Sequence, residues 1–123
     1  MRYIIPFIAA LGAFGCGDPK PLPMAATPES SRAALVAALD GWKEGKSFED
    51  LAGGSPPLIF QDDDLNRKVK LLSYTIEGEG KPYGVGYSYI VALTIEGKGK
   101  PRRVYYSVVT EPKQVVTRED RTP

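Results

Sequence analysis

Two periodicities divide this chain. Between Arg67 and Arg118 apolar and polar residues alternate, and the longest run sets Val85, Tyr87, Tyr89, Val91, Leu93 and Ile95 against Gly86, Ser88, Ile90, Ala92, Thr94 and Glu96. Successive side chains of a strand point to opposite faces. This run therefore predicts a strand with one buried face and one only partly covered, as in an antiparallel sheet roofed on one side. Flanking strands are predicted at Lys68 to Glu77, Arg102 to Thr110 and Gln114 to Arg118. The connections are short, Glu111-Pro112-Lys113 among them, and short connections favour antiparallel neighbours.

Upstream the spacing is helical. Thr27 is a good N-cap, Pro28 suits the first helical position, and Glu29 places an acid in the first turn. From Ser30 to Glu44, Leu35, Leu39 and Trp42 recur at i, i+4 and i+7 with Ala38 between them, which predicts one apolar stripe ended by Gly45. Ser47-Phe48-Glu49-Asp50-Leu51 opens like a capping box, with Asp50 in the reciprocating position, and predicts one more helical turn. Gly53-Gly54-Ser55-Pro56-Pro57 breaks regular structure, and Leu58, Ile59 and Phe60 are expected to pack a loop against the core.

A short echo runs through the strand region. Thr75-Ile76-Glu77-Gly78-Glu79-Gly80-Lys81-Pro82 returns as Thr94-Ile95-Glu96-Gly97-Lys98-Gly99-Lys100-Pro101. Glycines beside lysines can cradle an anion, but neither copy leads into a helix N-terminus, so both are expected to be turns. The elements sum to an α+β domain over residues 27–120, a long N-terminal helix packed on a four-stranded antiparallel meander.

Ahead of the domain, Gly17 to Ala26 interleaves Pro19, Pro21 and Pro23 with Asp18, Lys20, Leu22 and Met24. These residues suit an extended tether reaching roughly 30 Å at about 3.1 Å per residue. A mature N-terminus with no spacer role fits them equally. Before them, Met1 and Arg2 precede an uncharged apolar stretch, Tyr3 to Phe14, closed by Gly15-Cys16-Gly17-Asp18. This is a signal-peptide layout. The stretch falls far short of the ~20 residues of a membrane-spanning helix, and Pro6 weakens it further as a span.

The residues around Cys16 resemble the bacterial lipobox, in which small residues precede a cysteine that receives a diacylglyceryl group before the leader is removed. Ala13 and Gly15 match that pattern, while Phe14 and the position of Leu11 depart from it. The resemblance implies a signal peptide over residues 1–15, lipid attachment at Cys16 and a membrane-anchored lipoprotein facing the periplasm or the exterior. An ordinary secretory cleavage after Ala13-Phe14-Gly15 would leave Cys16 a plain thiol. The cysteine count favours lipidation: Cys16 is the only cysteine, so it has no internal disulfide partner, and a free thiol in an oxidising compartment is a liability.

Helix-then-meander order resembles the cystatin-like and nuclear-transport-factor-two-like α+β folds. Ser30-Ser31-Arg32-Ala33-Ala34-Leu35, Trp42-Lys43, Lys46-Ser47 and Leu71-Leu72-Ser73-Tyr74, taken with the lipobox, are similar to small lipoproteins of planctomycete-type bacteria. That resemblance implies envelope localisation and fold, and carries no activity with it.

Charge and composition narrow the chemistry. Loss of Arg2 with the leader leaves basic and acidic residues in balance, which argues against a nucleic-acid partner and leaves membrane attachment to the lipid. The chain has no histidine, which removes serine–histidine and cysteine–histidine catalysis and imidazole metal sites. No cofactor is expected. Carboxylate chemistry remains, and the only acidic cluster is Asp62-Asp63-Asp64. Consecutive acids followed by Leu65-Asn66-Arg67 do not fit an EF-hand loop. A solvated loop with one aspartate capping a turn is expected there, with weak cation binding as the alternative.

Tyr74, Tyr83, Tyr87, Tyr89, Tyr105 and Tyr106 concentrate in the strand region, where packing is the ordinary role of aromatic residues. Tyr105 and Tyr106 are adjacent and must face opposite sides of the sheet. If Arg103 and Tyr105 share the face away from the helix, with Tyr74 or Tyr83 nearby, that surface suits a peptide or a sugar. Two functional readings follow. One is a lipid-anchored, non-catalytic binding module for an envelope protein or peptide, using the open sheet face or last strand. The other is a carboxylate- or tyrosine-dependent enzyme in a cystatin-like cone cavity, which a pocket joining Asp62, Asp63 or Asp64 to a sheet tyrosine would favour.

Overall fold

The computed structural model describes residues 27–123, so the expected signal peptide, Cys16 and the expected proline-spaced tether lie outside the described residues. The elements in chain order are α1 (Pro28–Lys43), α2 (Phe48–Ala52), β1 (Leu58–Gln61), α3 (Asp63–Asn66), β2 (Leu71–Tyr83), β3 (Gly86–Ile95), β4 (Arg102–Val109) and β5 (Gln114–Arg118). Among the described residues no helix is long and apolar enough to cross a membrane.

The predicted caps form. Thr27 accepts from the Ser30 amide while the Ser30 hydroxyl accepts from the Thr27 amide, both at 3.0 Å. Ser47 and Asp50 do the same for α2, at 3.0 and 3.1 Å. These reciprocal bonds satisfy amides that the first turn of a helix leaves without partners. Beyond α1, Gly45 takes a positive φ of 93°, a conformation that suits glycine and stops the helix.

The sheet has five strands in the order β1-β5-β4-β3-β2, with β1 parallel to β5 and every other pair antiparallel. This corrects the expected four-stranded antiparallel meander: Leu58-Ile59-Phe60-Gln61 is a strand and not a loop. Its alternation is only four residues long. Its partner, Gln114 to Thr117, lies at the far end of the chain, so no local pattern announces the pairing.

β2 differs from expectation in a second way. It continues through the first copy of the echo to Tyr83, where a turn had been expected from Gly78 onward. Glu77 pairs with Ile90 and Lys81 with Ser88, so Gly78, Glu79 and Gly80 stand opposite Tyr89 alone, as a bulge. Tyr89 explains the glycine at position 80, where a Cβ would lie 2.5 Å from its ring. Relieved of that clash, the phenol reaches the start of α1, with its oxygen 2.5 Å from the Ser31 hydroxyl. The second copy is a turn, as expected, with Gly97 and Gly99 at φ of 83° and 79°. The hairpin tip falls instead at Gly84-Val85, so Val85 is 69% exposed, Tyr87 is partly buried and the buried stripe of β3 begins at Tyr89.

The helix stripe lies on one sheet face. Ala34, Leu35, Ala38, Leu39 and Trp42 share a core with Tyr89, Val91, Leu93, Ile95, Val104, Tyr106, Val108 and Val116. Phe60 of β1 is fully buried between Trp42 and Tyr106, its ring centroid 6.1 and 5.7 Å from theirs. Leu51 of α2 and Leu65 of α3 enter the same core, so all three helices roof one side of the sheet. The opposite side is left without a helix among the described residues.

Candidate binding face

Cross-strand partners share a face, so register assigns each residue to the roofed or the open side. Tyr106 is buried in the core, which turns Tyr105 to the open side. Tyr105 pairs with Ile90, and Ile90 with Glu77; Arg103 pairs with Ala92. All of these therefore share the open face. Arg103 grips Glu77 with two nitrogens, Nε at 3.0 Å and Nη2 at 2.9 Å. Such a fork holds both side chains flat on the sheet, although the exposed pair contributes little to stability.

Tyr83 follows the same alternation two residues beyond Lys81, the partner of Ser88, and is also on the open face, 49% exposed. Between Tyr83 and Tyr105 sits the guanidinium of Arg121, 3.8 Å from the Tyr105 ring centroid and 4.8 Å from that of Tyr83. Arg121 also donates from Nε to Glu119 at 2.5 Å and from Nη2 to the Ser88 hydroxyl at 2.9 Å. Beyond β5 the Glu119 amide bonds to the Tyr105 carbonyl, which extends the β4–β5 ladder by one residue past the Tyr106–Arg118 pair. The structure thus gathers Arg103, Tyr105 and Tyr83 as the sequence suggested.

Tyr74 does not join them. Counted back from Ile76, which faces Val91, it pairs with Leu93 on the roofed side, and its hydroxyl donates to Asp40 of α1 at 2.7 Å. Burial, then the Asp40 carboxylate, pushes its phenol up to about 12.

The acidic cluster is not the solvated loop expected. Asp62 does cap a turn, its Oδ1 accepting from the amides of Asp64 at 2.8 Å and Leu65 at 3.3 Å. Yet Asp62 and Asp64 are buried, 2% and 1% exposed. Arg118 Nη1 lies 3.1 Å from Asp62 and 2.9 Å from Asp64, while Arg67 reaches Asp64 at 2.6 Å. The buried phenol of Tyr106 donates to the other oxygen of Asp62. Periodicity does not reveal this network because Arg118 is brought to the cluster only by the parallel β1–β5 pairing.

A cleft of about 420 Å³ opens beside the network, lined by Asp62, Asp63, Asp64, Arg67, Arg102 and Arg118 with their neighbours. Burial alone would raise the Asp64 carboxyl, but the Arg118 and Arg67 bonds outweigh it and hold it below the ordinary value. Burial and the Asp62 charge push the Tyr106 phenol well above its usual range. A carboxylate held ionised by two arginines is a weak base, and such a phenol is a weak nucleophile. A second cleft, about 610 Å³, lies at the end of α1 between Trp42, Phe48 and Val69, with Lys46, Lys68 and Lys70 at its margin.

Arg121, Glu119 and Ser88 went unnoticed in the sequence. Alternation places Ser88 opposite the Tyr89 stripe, but Arg121 falls past the last strand, just outside the expected domain limit. No family model matches this chain, and no curated protein or solved structure matches it either.

Proposed function

We propose that the chain is a lipid-anchored protein of the cell envelope, tethered through Cys16, whose α+β domain binds an envelope protein or peptide on its helix-free sheet face. The observation carrying this reading is the gathering of Tyr83, Tyr105 and the Arg103–Glu77 fork on a face that no described helix covers. An exposed tyrosine and a half-buried one on the face of a pre-paired arginine are the chemistry of contact surfaces. Support for binding without catalysis comes from the composition and from the acidic network, whose carboxylates are already engaged by arginines. Kinship with the cystatin-like and nuclear-transport-factor-two-like folds belongs to the proposal as well. It rests on the long first helix lying across a sheet whose last four strands run up and down in sequence.

The test is site-specific photo-crosslinking in intact cells. A crosslinker replacing Thr75 or Ala92 on the open face is expected to trap a defined envelope protein, and one replacing Ala37 on the exposed side of α1 is not. The same product from both faces, or none from either, would count against the reading.

A further inference from the structure

We propose that the cradle between Tyr83 and Tyr105 is a recognition site for an arginine side chain presented by a partner peptide, and that Arg121 occupies it as an internal latch. The inference rests on the open-face reading above and names the partner chemistry.

Four groups converge on one guanidinium. The Tyr105 and Tyr83 rings lie 3.8 and 4.8 Å from it, within the range where a ring face attracts a planar cation. Glu119 supplies the countercharge at 2.5 Å and Ser88 a hydroxyl acceptor at 2.9 Å. The two acceptors are well sequestered, Ser88 being 6% exposed and the Glu119 side chain 12%. The cation is less so: the Arg121 side chain remains 43% exposed. Tyr83, Ser88 and Tyr105 stand on β2, β3 and β4, and Glu119 is tied to the sheet by its amide bond to the Tyr105 carbonyl, while the occupant sits two residues further along the chain and nearer the surface. Withdrawal of Arg121 would leave the Glu119 carboxylate, the Ser88 hydroxyl and two ring faces without their cation. The fixed two-ring spacing and paired nitrogen donors select a guanidinium over an ammonium, which presents a compact, strongly hydrated charge. Release of the latch sets the apparent affinity, because a site open for only a fraction of the time binds its guest more weakly by that fraction.

The experiment uses the full chain carrying Cys16→Ser, with the tripeptide acetyl-Gly-Arg-Gly-amide and its lysine counterpart as probes, followed by amide chemical shifts. Arg121→Ala is expected to bind the arginine peptide about tenfold more tightly than the unlatched fraction of the parent allows, and about tenfold more tightly than the lysine peptide. Adding Tyr105→Phe, which keeps the ring, should preserve binding; adding Tyr105→Leu, which keeps bulk without a ring face, should weaken it about tenfold. Shifts should map to Ser88, Tyr83 and Tyr105.

Equal binding of both peptides, no binding by Arg121→Ala, or indifference to Tyr105→Leu would overturn the proposal. Self-association of Arg121→Ala through Tyr105 with no peptide binding would overturn it too, in favour of a second copy as the occupant. Crosslinks from Thr75 or Ala92 persisting when the peptide fails would sink the guanidinium inference and leave the open-face reading standing.

Discussion

Tyr106 of β4 donates its phenol hydrogen to Asp62, 44 residues away in the chain, and both side chains are almost wholly buried. The bond ties the last turn before α3 to the centre of the sheet. Tyr106→Phe keeps the ring against Phe60 and removes only the hydroxyl, leaving one oxygen of a buried carboxylate short of a donor. The expected cost is about 1–3 kcal/mol, read as a lower urea midpoint at unchanged slope. A midpoint equal to the parent's would mean that Arg118 alone satisfies Asp62.

Acid should unfold the domain through the same network. The Asp64 carboxyl is held below its ordinary value in the folded chain, whereas in the unfolded chain it titrates near 3.9. A depressed folded value contributes stability that is fully present above about pH 4 and is lost as pH falls through the folded value. Asp64→Asn should flatten the acid limb of a stability-against-pH curve while lowering stability at neutral pH. An unaltered acid limb would assign the titration to another carboxylate.

Tyr74 contributes to the alkaline limb alongside Tyr106, its phenol being pushed up to about 12 by burial and by the Asp40 carboxylate. An unfolded tyrosine ionises near 10, so a raised folded value gives stability present below about pH 10 and lost as pH climbs toward 12. Tyr74→Phe should remove its share of this loss and leave that of Tyr106, measured as a shallower fall in thermal midpoint between pH 10 and 12. An identical fall in parent and variant would contradict the assignment.

What the sequence made legible follows the range of the interactions involved. The caps at Thr27 and Ser47 and the Leu35–Leu39–Trp42 stripe are decided within a few residues, and they were readable. Alternation likewise revealed β3 and β4 and put Tyr105 opposite Tyr106. β1 escaped because its partner is at the other end of the chain, and Asp62 and Asp64 looked solvated because Arg118 arrives with that same pairing. The bulge at Gly78–Gly80 escaped for a different reason: glycines signal a turn and a bulge alike, and only the Tyr89 ring opposite distinguishes them. Tyr74 is misassigned by the same kind of irregularity. A register shift between Leu71 and Ser73 changes which residues of β2 meet the helix.

Two glycine substitutions should separate close packing from backbone conformation. At Gly86 a Cβ would lie 1.9 Å from the Val108 carbonyl oxygen, a backbone atom of the neighbouring strand that cannot turn aside. Gly86→Ala must therefore part β3 from β4, with an expected loss of about 3 kcal/mol or more. Gly45 has open space around it but a φ of 93°, so Gly45→Ala should cost only about 1 kcal/mol of left-handed strain. Thermal midpoints of the two variants in one buffer make the comparison, and comparable losses would refute the steric account of Gly86.

The proposed lipid anchor is tested at one sulfur atom. Cys16 is the only cysteine, so Cys16→Ser removes every acylatable thiol without disturbing a disulfide. The rest of the chain is near charge balance and offers no basic excess to hold it on anionic lipid. If the thioether lipid supplies the attachment, the substituted chain should move from the membrane pellet to the soluble fraction, and detergent should solubilise the parent where high salt does not. Metabolic labelling with a fatty-acid analogue should mark the parent alone. A parent chain that takes up no label, or that high salt releases from the pellet, would bring the lipoprotein reading down, whereas a Cys16→Ser chain held in the pellet by its uncleaved apolar leader would not.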